Sequence, residues 1–465
     1  MESTADPRRR RRARTGLRLL PWLPGPAVMT PIDALAPQPT LARNRNFRLL
    51  WIGEGVSVLG SMTTTVIFPL MAVTQFDAGP FWMGILAGAI WLPWLVLGLF
   101  AGTWVDRSDP RRIMMRADLV AAVVVATVPV AWALGVLTLP HLVLTALGLG
   151  GCTVFFRTAY AAFVPRVVAN PDLERANARI YGTESAMQIG GPGVGGLLVQ
   201  LFSAAFAVVI DVLSFVVSWV CLARMRPEEL GPAPEKPAPQ SMLRQVREGI
   251  SIVARDPYLR FFSIQGGLSN FALTGFWALM VLFMVRDLDL EPGAVGVVMA
   301  LGSTGGLLGA TLATRTTQRL GNAGALRWLQ VLGGPVAILE GLAWPGIGVV
   351  LIPVGAFLVG VGVVGANVVR SSFRVRYTPA ELLGRTTATS SVLNFGTMPL
   401  AGLVAGGLGT WIGVRETILL MAAIHALVSL SVFFGPYRTG RDLPDQPMAR
   451  WTSGSMATAR KSSVT

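Results

Sequence analysis

The stretch AGTWVDRSDPRRIMMR, residues 101–116, places two aspartates and four arginines between two long apolar runs. The whole chain is 52% hydrophobic and only 14% charged, and its mean hydropathy is +0.57. Soluble domains carry about 25% charged residues. Such a concentrated charged segment is therefore best explained as a short loop between two membrane-spanning helices, and the chain is predicted to be an all-α polytopic membrane protein.

Apolar segments of roughly twenty residues recur along the chain, and this length suffices for a helix to cross a hydrocarbon core of about 30 Å. Twelve spans are predicted, and an even number places both termini on one side. They are 48–73, 81–104, 113–135, 141–163, 178–201, 204–223, 260–285, 293–314, 326–344, 347–369, 387–410 and 415–435.

The distribution of arginine predicts which side that is. If the N-terminus is cytoplasmic, the outer loops hold only Arg286 and Arg415. The inner segments hold Arg107, Arg111, Arg112, Arg166, Arg175, Arg315, Arg319, Arg327, Arg374, Arg376 and Arg385, besides the basic segment 224–257. Basic residues collect on the cytoplasmic side of bacterial membrane proteins, so both termini are predicted to be cytoplasmic, in the cell membrane. The net charge of +14 then lies mostly beside the anionic lipid headgroups of the cytoplasmic surface, and no nucleic-acid partner is needed to explain it.

The spans divide six and six about a Pro-rich connector. We predict a basic, disordered N-terminal arm, 1–42, and a disordered tail, 439–465; between them lie a six-helix half, 43–226, a cytoplasmic linker, 227–257, and a second half, 258–438. RTAYAAFVP at 157–165 echoes RSSFRVRYTP at 370–379, and Pro192/Gly195 recurs as Pro399/Gly402. Arg315 and Arg319 stand where Arg107 and Arg111 stand in the first half. Two homologous halves predict a site between them.

These motifs resemble the major facilitator superfamily, specifically its twelve-span drug:proton antiporter branch, which includes macrolide-efflux and siderophore-export proteins. The resemblance covers about 44–438. It rests on NFRLLW and LGSMTT in span one, on the 102–112 loop, on LERAN and GGPGVGGLL around span five, on DVLSF in span six and on PAELLGR before span eleven. It implies a monomer with two pseudo-symmetric six-helix bundles, between which a site is exposed alternately to the two sides of the membrane. Asp109 and Pro110 depart from the usual loop pattern, in which Gly and a basic residue are common.

The loop between spans two and three is interpreted as a cytoplasmic gate. Gly102 permits a tight turn, and Arg107, Arg111 and Arg112 can pair with carboxylates or phosphates. The Asp106 carboxylate can accept hydrogen bonds from a helix N-terminus; the resemblance implies that this helix is span eleven, beginning near Gly384. Such a contact forms only when the halves close on the cytoplasmic side. The simpler alternative is a topology signal, which requires the arginines but no aspartate.

Ionisable residues inside predicted spans are the candidates for proton coupling, because hydrocarbon penalises them. Glu54 and Glu184 are the leading acids, and Arg157 is their possible counter-charge. The alternative for Arg157 is a helix-end cation on backbone carbonyls. Asp211 is either a transport residue or a hydrogen-bonding partner of a neighbouring helix.

Polar side chains repeat at helical spacing on the first and fourth helices of each half, and the resemblance implies that these helices line a central cavity. In the first half the candidates are Ser57, Ser61, Thr64, Tyr160 and, on span five, Gln188. In the second half they are Asn270, Thr274, Trp277 and Asn367.

Span five carries a candidate helix-packing motif, Gly190, Gly191, Pro192 and Gly195. A stripe of small residues at 182, 186, 190 and 193 is expected to allow close contact with another helix, and Pro192 to kink the helix.

The predicted function is proton-coupled export of an amphipathic small molecule such as an antibiotic, drug or siderophore. An importer or uniporter on the same fold and a transport-inactive sensor remain alternatives. A membrane enzyme is disfavoured because the outer loops are too short for a catalytic site. ATP-driven export is disfavoured because the sequence contains no phosphate-binding loop motif. No cofactor or metal is predicted, since His141 and His425 are far apart and Cys152 and Cys221 lie within spans.

Overall fold

The computed structural model describes residues 41, 43–168, 172–231, 242–438, 440 and 442–444. Within these ranges the chain is helical and contains no strand, which confirms the predicted all-α class. The predicted arm and tail lie almost wholly outside the described residues, as does part of the predicted linker.

Fourteen α-helices are found in the described ranges. They are α1 Arg45–Phe76, α2 Pro80–Arg107, α3 Pro110–Ala133, α4 Leu139–Val167, α5 Leu173–Leu201, α6 Ala204–Ala223, α7 Met242–Arg255, α8 Pro257–Arg286, α9 Pro292–Gly333, α10 Ile338–Gly341, α11 Leu351–Tyr377, α12 Ala380–Gly396, α13 Met398–Trp411 and α14 Val414–Leu430.

Several helices begin at an N-cap that the sequence provides. Asn44, Asp109 and Asp256 accept hydrogen bonds from backbone N–H groups in the first turns of α1, α3 and α8. Proline follows directly at the first helical position of α3 and α8, where its missing N–H costs nothing. The short loops between spans are therefore set by local sequence.

Ten segments of the described chain are long and apolar enough to cross a membrane, against twelve predicted spans. Two differences account for this number. Helix α5 is outside the ten, and it carries charged residues such as Glu174 and Glu184. One segment, 292–341, covers most of two predicted spans, because two helices meet at Gly321 without a gap and are counted together as α9.

The chain turns back at Gly321, whose backbone lies in a positive-φ region (φ 73°, ψ 169°) that favours glycine. Gly309 and Leu329, on either side of it, both lie against Gly365 of α11. A straight helix would separate these two residues by about 30 Å. The segments before and after Gly321 are therefore two antiparallel spans, as predicted.

Helices α1 to α6 pack on one another, as do α8 to α14, and the two sets meet chiefly where α5 contacts α9 and α2 contacts α13. Glycine lets backbones touch at both places. Gly196 of α5 lies against Pro292 and Gly296 of α9, and Gly402 of α13 lies against Gly84 of α2. These paired interfaces agree with the repeat of Pro192/Gly195 as Pro399/Gly402.

The expected small-residue stripe on α5 makes close contact with another helix at Gly193, where an added methyl group would lie 3.5 Å from Ala300 Cβ of α9, but not at Gly182 or Gly190. A methyl group added at Gly182 or Gly190 would meet nothing within 4 Å. Closer contacts are made by Gly191 and Gly195 on another side of the helix, which lie against Met62 and Thr63 of α1. Helical spacing predicted one small-residue face, whereas α5 contacts α1 and α9 at once. Its closest contacts with these helices are at Gly191, Gly195 and Gly196.

Candidate functional site

An arginine and two glutamates from three helices meet inside the first helix set. The Arg157 Nη1 atom of α4 lies 2.6 Å from Glu184 Oε1 of α5 and 3.3 Å from Glu54 Oε1 of α1. Glu54 is only 4% exposed, and its Oε2 atom has no hydrogen-bond partner among the described residues. One cation is shared by two carboxylates, so the cluster has an excess negative charge when both acids are ionised.

The alternative reading of Arg157 as a cap of backbone carbonyls does not fit. Arg157 lies ten residues before the end of α4, and its partners are carboxylates. The sequence thus identified the members of this cluster correctly, although their role in proton coupling stays a prediction.

A cavity of about 120 Å³ lies beside this cluster, between α1, α3, α4 and α6. The predicted residues Glu54, Ser57, Ser61 and Arg157 line it. Pockets for whole drug-sized ligands are about 300–1,000 Å³. This space therefore suits several water molecules or one small organic group.

Sequence reasoning missed Asp118 of α3, a second acid in the same cavity. Asp118 is 2% exposed, Ser218 hydrogen-bonds its carboxyl group, and its Oδ2 atom has no hydrogen-bond partner among the described residues. The signal was present, since an acid inside a predicted span is a functional candidate. Asp118 follows Arg116 closely and so resembles a charge at the membrane surface.

Asp211 and Thr64 do not line this cavity. The Thr64 hydroxyl donates a hydrogen bond to Asp211 Oδ2, and Ser214 Oγ lies 3.1 Å from Asp211 Oδ1. Asp211 is fully buried. It therefore ties α6 to α1, which is the hydrogen-bonding alternative that the sequence left open.

The remaining cavity candidates are dispersed. Tyr160 is buried with its hydroxyl unpartnered among the described residues, whereas Gln188 and Asn367 are exposed. Asn270 Nδ2 donates to the Asn394 backbone oxygen at 3.4 Å, Trp277 packs edge-on against Phe276, and Thr274 is half-buried. None of them lines the 120 Å³ cavity.

The repeat partner of Arg157 has a different environment. Arg370 of α11 donates from Nη2 to Gln265 Oε1 at 2.8 Å and from Nη1 to Asn367 Oδ1 at 3.4 Å. In the described part of the chain it forms no ion pair with a carboxylate. The acid-rich cluster therefore belongs to the first helix set alone.

The predicted gate residues are open to solvent. Asp106 and Arg107 are exposed, and Gly102 and Gly384 face open space. No hydrogen bond or ion pair joins Asp106 to any other described residue. The contact with the N-terminus of α12 is not formed in this conformation.

Arg111 and Arg112 serve the loop itself. Arg111 donates to the carbonyl oxygens of Leu222, Ala223 and Met225 at the end of α6, at 2.9–3.2 Å. Arg112 lies 3.7 Å from Asp109, the N-cap of α3. The loop thereby holds α3 against the end of α6.

In the second half, Arg327 makes a contact similar to that of Arg111, while the sequence match of Arg319 to Arg111 stays a prediction. Arg327 donates to the carbonyl oxygens of Tyr437, Arg438 and Gly440 after α14.

The opposite end of the helices is joined by polar contacts between the two sets. Arg286 Nη2 at the end of α8 lies 2.5 Å from Asp77 Oδ1 after α1, and Gln200 Nε2 of α5 donates to Glu291 Oε2 at 2.9 Å. The Gly196/Gly296 contact lies at this same end. The two helix sets are therefore joined here, whereas at the other end Asp106 has no hydrogen-bond or ion-pair partner among the described residues.

Two helix sets that meet through paired interfaces, with buried charge between helices, define a membrane transporter of the major facilitator type. Residues 34–462 match the family model described as transmembrane secretion effector, and the chain belongs to this family of the major facilitator superfamily.

Named relatives and solved structures agree with this class. The chain is 29% identical over 399 residues to the multidrug efflux pump Tap of Mycolicibacterium fortuitum, covering 83% of this chain and 95% of that protein. It is 27% identical over 270 residues to macrolide efflux protein A of Streptococcus pyogenes, covering 57% and 65%.

Structural similarity extends to transporters of low sequence identity. A D323A mutant of the nucleoside transporter NupG aligns with a TM-score of 0.71 at 14% identity, covering 84% of this chain and 99% of that one. A bacterial homologue of the iron transporter ferroportin, in an inward-facing state, aligns with a TM-score of 0.64 at 16% identity, covering 84% and 100%. These likenesses show the fold.

Proposed function

We propose that this protein exports amphipathic, drug-like small molecules and is driven by proton entry. The observation that carries the proposal is the Arg157 guanidinium held between Glu54 and Glu184, next to a cavity within the membrane domain. The efflux pumps among its relatives support export as the direction. The protein is proposed to act as a monomer in the cell membrane, with both termini cytoplasmic.

The cluster can couple a proton to a change of conformation. A proton on Glu184 or Glu54 removes one negative partner of Arg157, and the guanidinium then interacts more strongly with the acid that remains ionised. Because these residues lie on α1, α4 and α5, the change alters how three helices pack. Release of the proton restores the three-residue cluster.

The contacts at the two ends of the molecule support a mechanism of alternating access. The observed state is closed at the Asp77/Arg286 end, which the arginine distribution predicts to be extracellular. Export requires the other state, in which that end opens and the predicted Asp106 gate contact forms. The energy difference between the states has to be small enough for proton and substrate to shift it.

The test is efflux of dyes and antibiotics from a pump-deficient bacterial strain that expresses the chain, with and without a protonophore. Glu54→Gln, Glu184→Gln and Asp106→Asn variants are measured beside the parent at matched membrane expression. Efflux that the protonophore stops, and that a glutamine variant abolishes, supports the proposal. Efflux that persists without a proton gradient contradicts coupling, and uptake contradicts the direction.

A further inference from the structure

Asp118 differs from Glu54, the other acid in the cavity wall, because it forms no salt bridge with any described residue. Glu54 and Glu184 share Arg157, and Asp118 has only the neutral Ser218 hydroxyl. Glu54 is its electrostatic neighbour and carries the same charge. A carboxylate that is only 2% exposed, that belongs to the wall of a cavity and that has one oxygen unpartnered among the described residues is a site for a positive charge from outside the chain.

The rest of the cavity wall suits an alkylammonium group. Phe156 and Phe215 supply aromatic rings, whose faces attract cations, and Val58 and Met62 supply apolar contact for alkyl substituents. Ser57 and Ser61 can accept hydrogen bonds from an ammonium N–H. A divalent metal would require several oxygen ligands at short distance, and among the described residues no cluster of three metal-ligating side chains occurs.

From this arrangement we propose that the cavity beside Asp118 binds the alkylammonium substituent of the exported molecule, with Asp118 as its counter-ion. The volume of about 120 Å³ admits a substituent, and the remainder of a larger molecule lies outside. This inference rests on the proposed export function and refines it. The substrate cation binds Asp118 and the proton binds the neighbouring Glu54 cluster, so the two positive charges repel each other electrostatically.

Cys152 provides a native probe, since its thiol lines the same cavity and Cys221 does not. The chain has two cysteines, so Cys221→Ser leaves Cys152 alone. Full-length protein in membrane vesicles is treated with 2-aminoethyl methanethiosulfonate, a cation, or with neutral propyl methanethiosulfonate of similar size. Both reagents attack the same thiolate, so the ratio of the two rates cancels any change in the reactivity of Cys152 itself.

We expect Asp118→Asn to lower the cation-to-neutral rate ratio about tenfold, because a carboxylate within a few Å attracts the cationic reagent. Asp118→Glu keeps the charge and should keep the ratio. Glu340→Gln is the matched control, since it removes a buried acid from α10 that does not line the cavity. Tetramethylammonium should slow labelling by the neutral reagent in the parent and not in Asp118→Asn.

An unchanged ratio in folded Asp118→Asn, or no labelling of Cys152 by either reagent, overturns the site. Thermal unfolding identifies any variant that is not folded. In that case the cation-to-neutral rate ratio of Asp118→Glu is compared with that of the parent. The labelling assay requires no transport. Loss of proton-driven efflux with intact charge selectivity at Cys152 would contradict the export proposal alone, and the reverse result would contradict this site alone.

Discussion

At the scale of single residues, the Arg157 cluster balances burial against pairing. Glu54 is almost fully buried, whereas Arg157 retains 37% of its side-chain exposure. Removing one member of a buried ion pair costs about 3–5 kcal/mol, and less where water reaches the group. The stability of this cluster can therefore be separated from its role in transport.

Arg157→Gln is expected to lower the free energy of unfolding by about 1–3 kcal/mol, because it leaves Glu54 and Glu184 close together without a cation. The triple variant Arg157→Gln/Glu54→Gln/Glu184→Gln should recover most of this loss and remain inactive in efflux. Thermal unfolding in detergent and dye efflux give the two readouts. A triple variant as unstable as the single one would show that repulsion between the acids is not the cause.

Asp211 is expected to act structurally. Asp211→Asn keeps one acceptor oxygen for one of the Thr64 and Ser214 hydroxyls, and its Nδ2 can donate to the other, so it should preserve protonophore-sensitive efflux; Asp211→Ala loses both bonds and should cost about 2–3 kcal/mol. Efflux at matched expression and melting temperature distinguish the roles. Loss of coupling in a stable Asp211→Asn protein would assign Asp211 to proton transport instead.

At the scale of helices, hydropathy predicted much of the fold. The predicted spans overlap α1 to α6 and α8 to α14 because length and apolar character are properties of local sequence. The turn at Gly321 lies in the gap between the predicted spans 293–314 and 326–344, whereas the partner helices of α5 were not available from the sequence, since they depend on which backbones meet in three dimensions. Asp118 lies inside the predicted span 113–135 and was missed because Arg116 beside it made it resemble a charge at the membrane surface; only the packing of α3 against α4 and α6 shows that it is buried.

The α5/α9 interface gives a test with a control on the same helix. A methyl group at Gly196 would lie 2.5 Å from the Pro292 carbonyl oxygen, whereas one at Gly190 would meet nothing within 4 Å. Gly196→Ala should therefore lower the melting temperature by several degrees and reduce efflux. Gly190→Ala should leave both unchanged or slightly raise stability, since alanine favours helix. Equal effects of the two substitutions would contradict this packing.

At the scale of the whole molecule, the two ends are in opposite states. Asp77 and Arg286 join the helix sets at one end, while Asp106 at the other end faces solvent. The proposed cycle requires the helix sets to rock about the glycine contacts between α5 and α9 and between α2 and α13. A transport cycle of this kind requires the Asp77/Arg286 contact to break in every turnover.

A short cross-link at that contact is expected to stop efflux. Asp77→Cys/Arg286→Cys, made in a background with Cys152→Ala and Cys221→Ser, is treated with 1,2-ethanediyl bismethanethiosulfonate, and dithiothreitol then removes the link. Efflux should fall to the level of cells without the protein and return after reduction, because a link between α1 and α8 holds this end closed. Asp77→Cys alone, treated in the same way, should keep its efflux. Continued efflux by fully cross-linked protein would mean that this end does not open during transport, and would contradict alternating access through it.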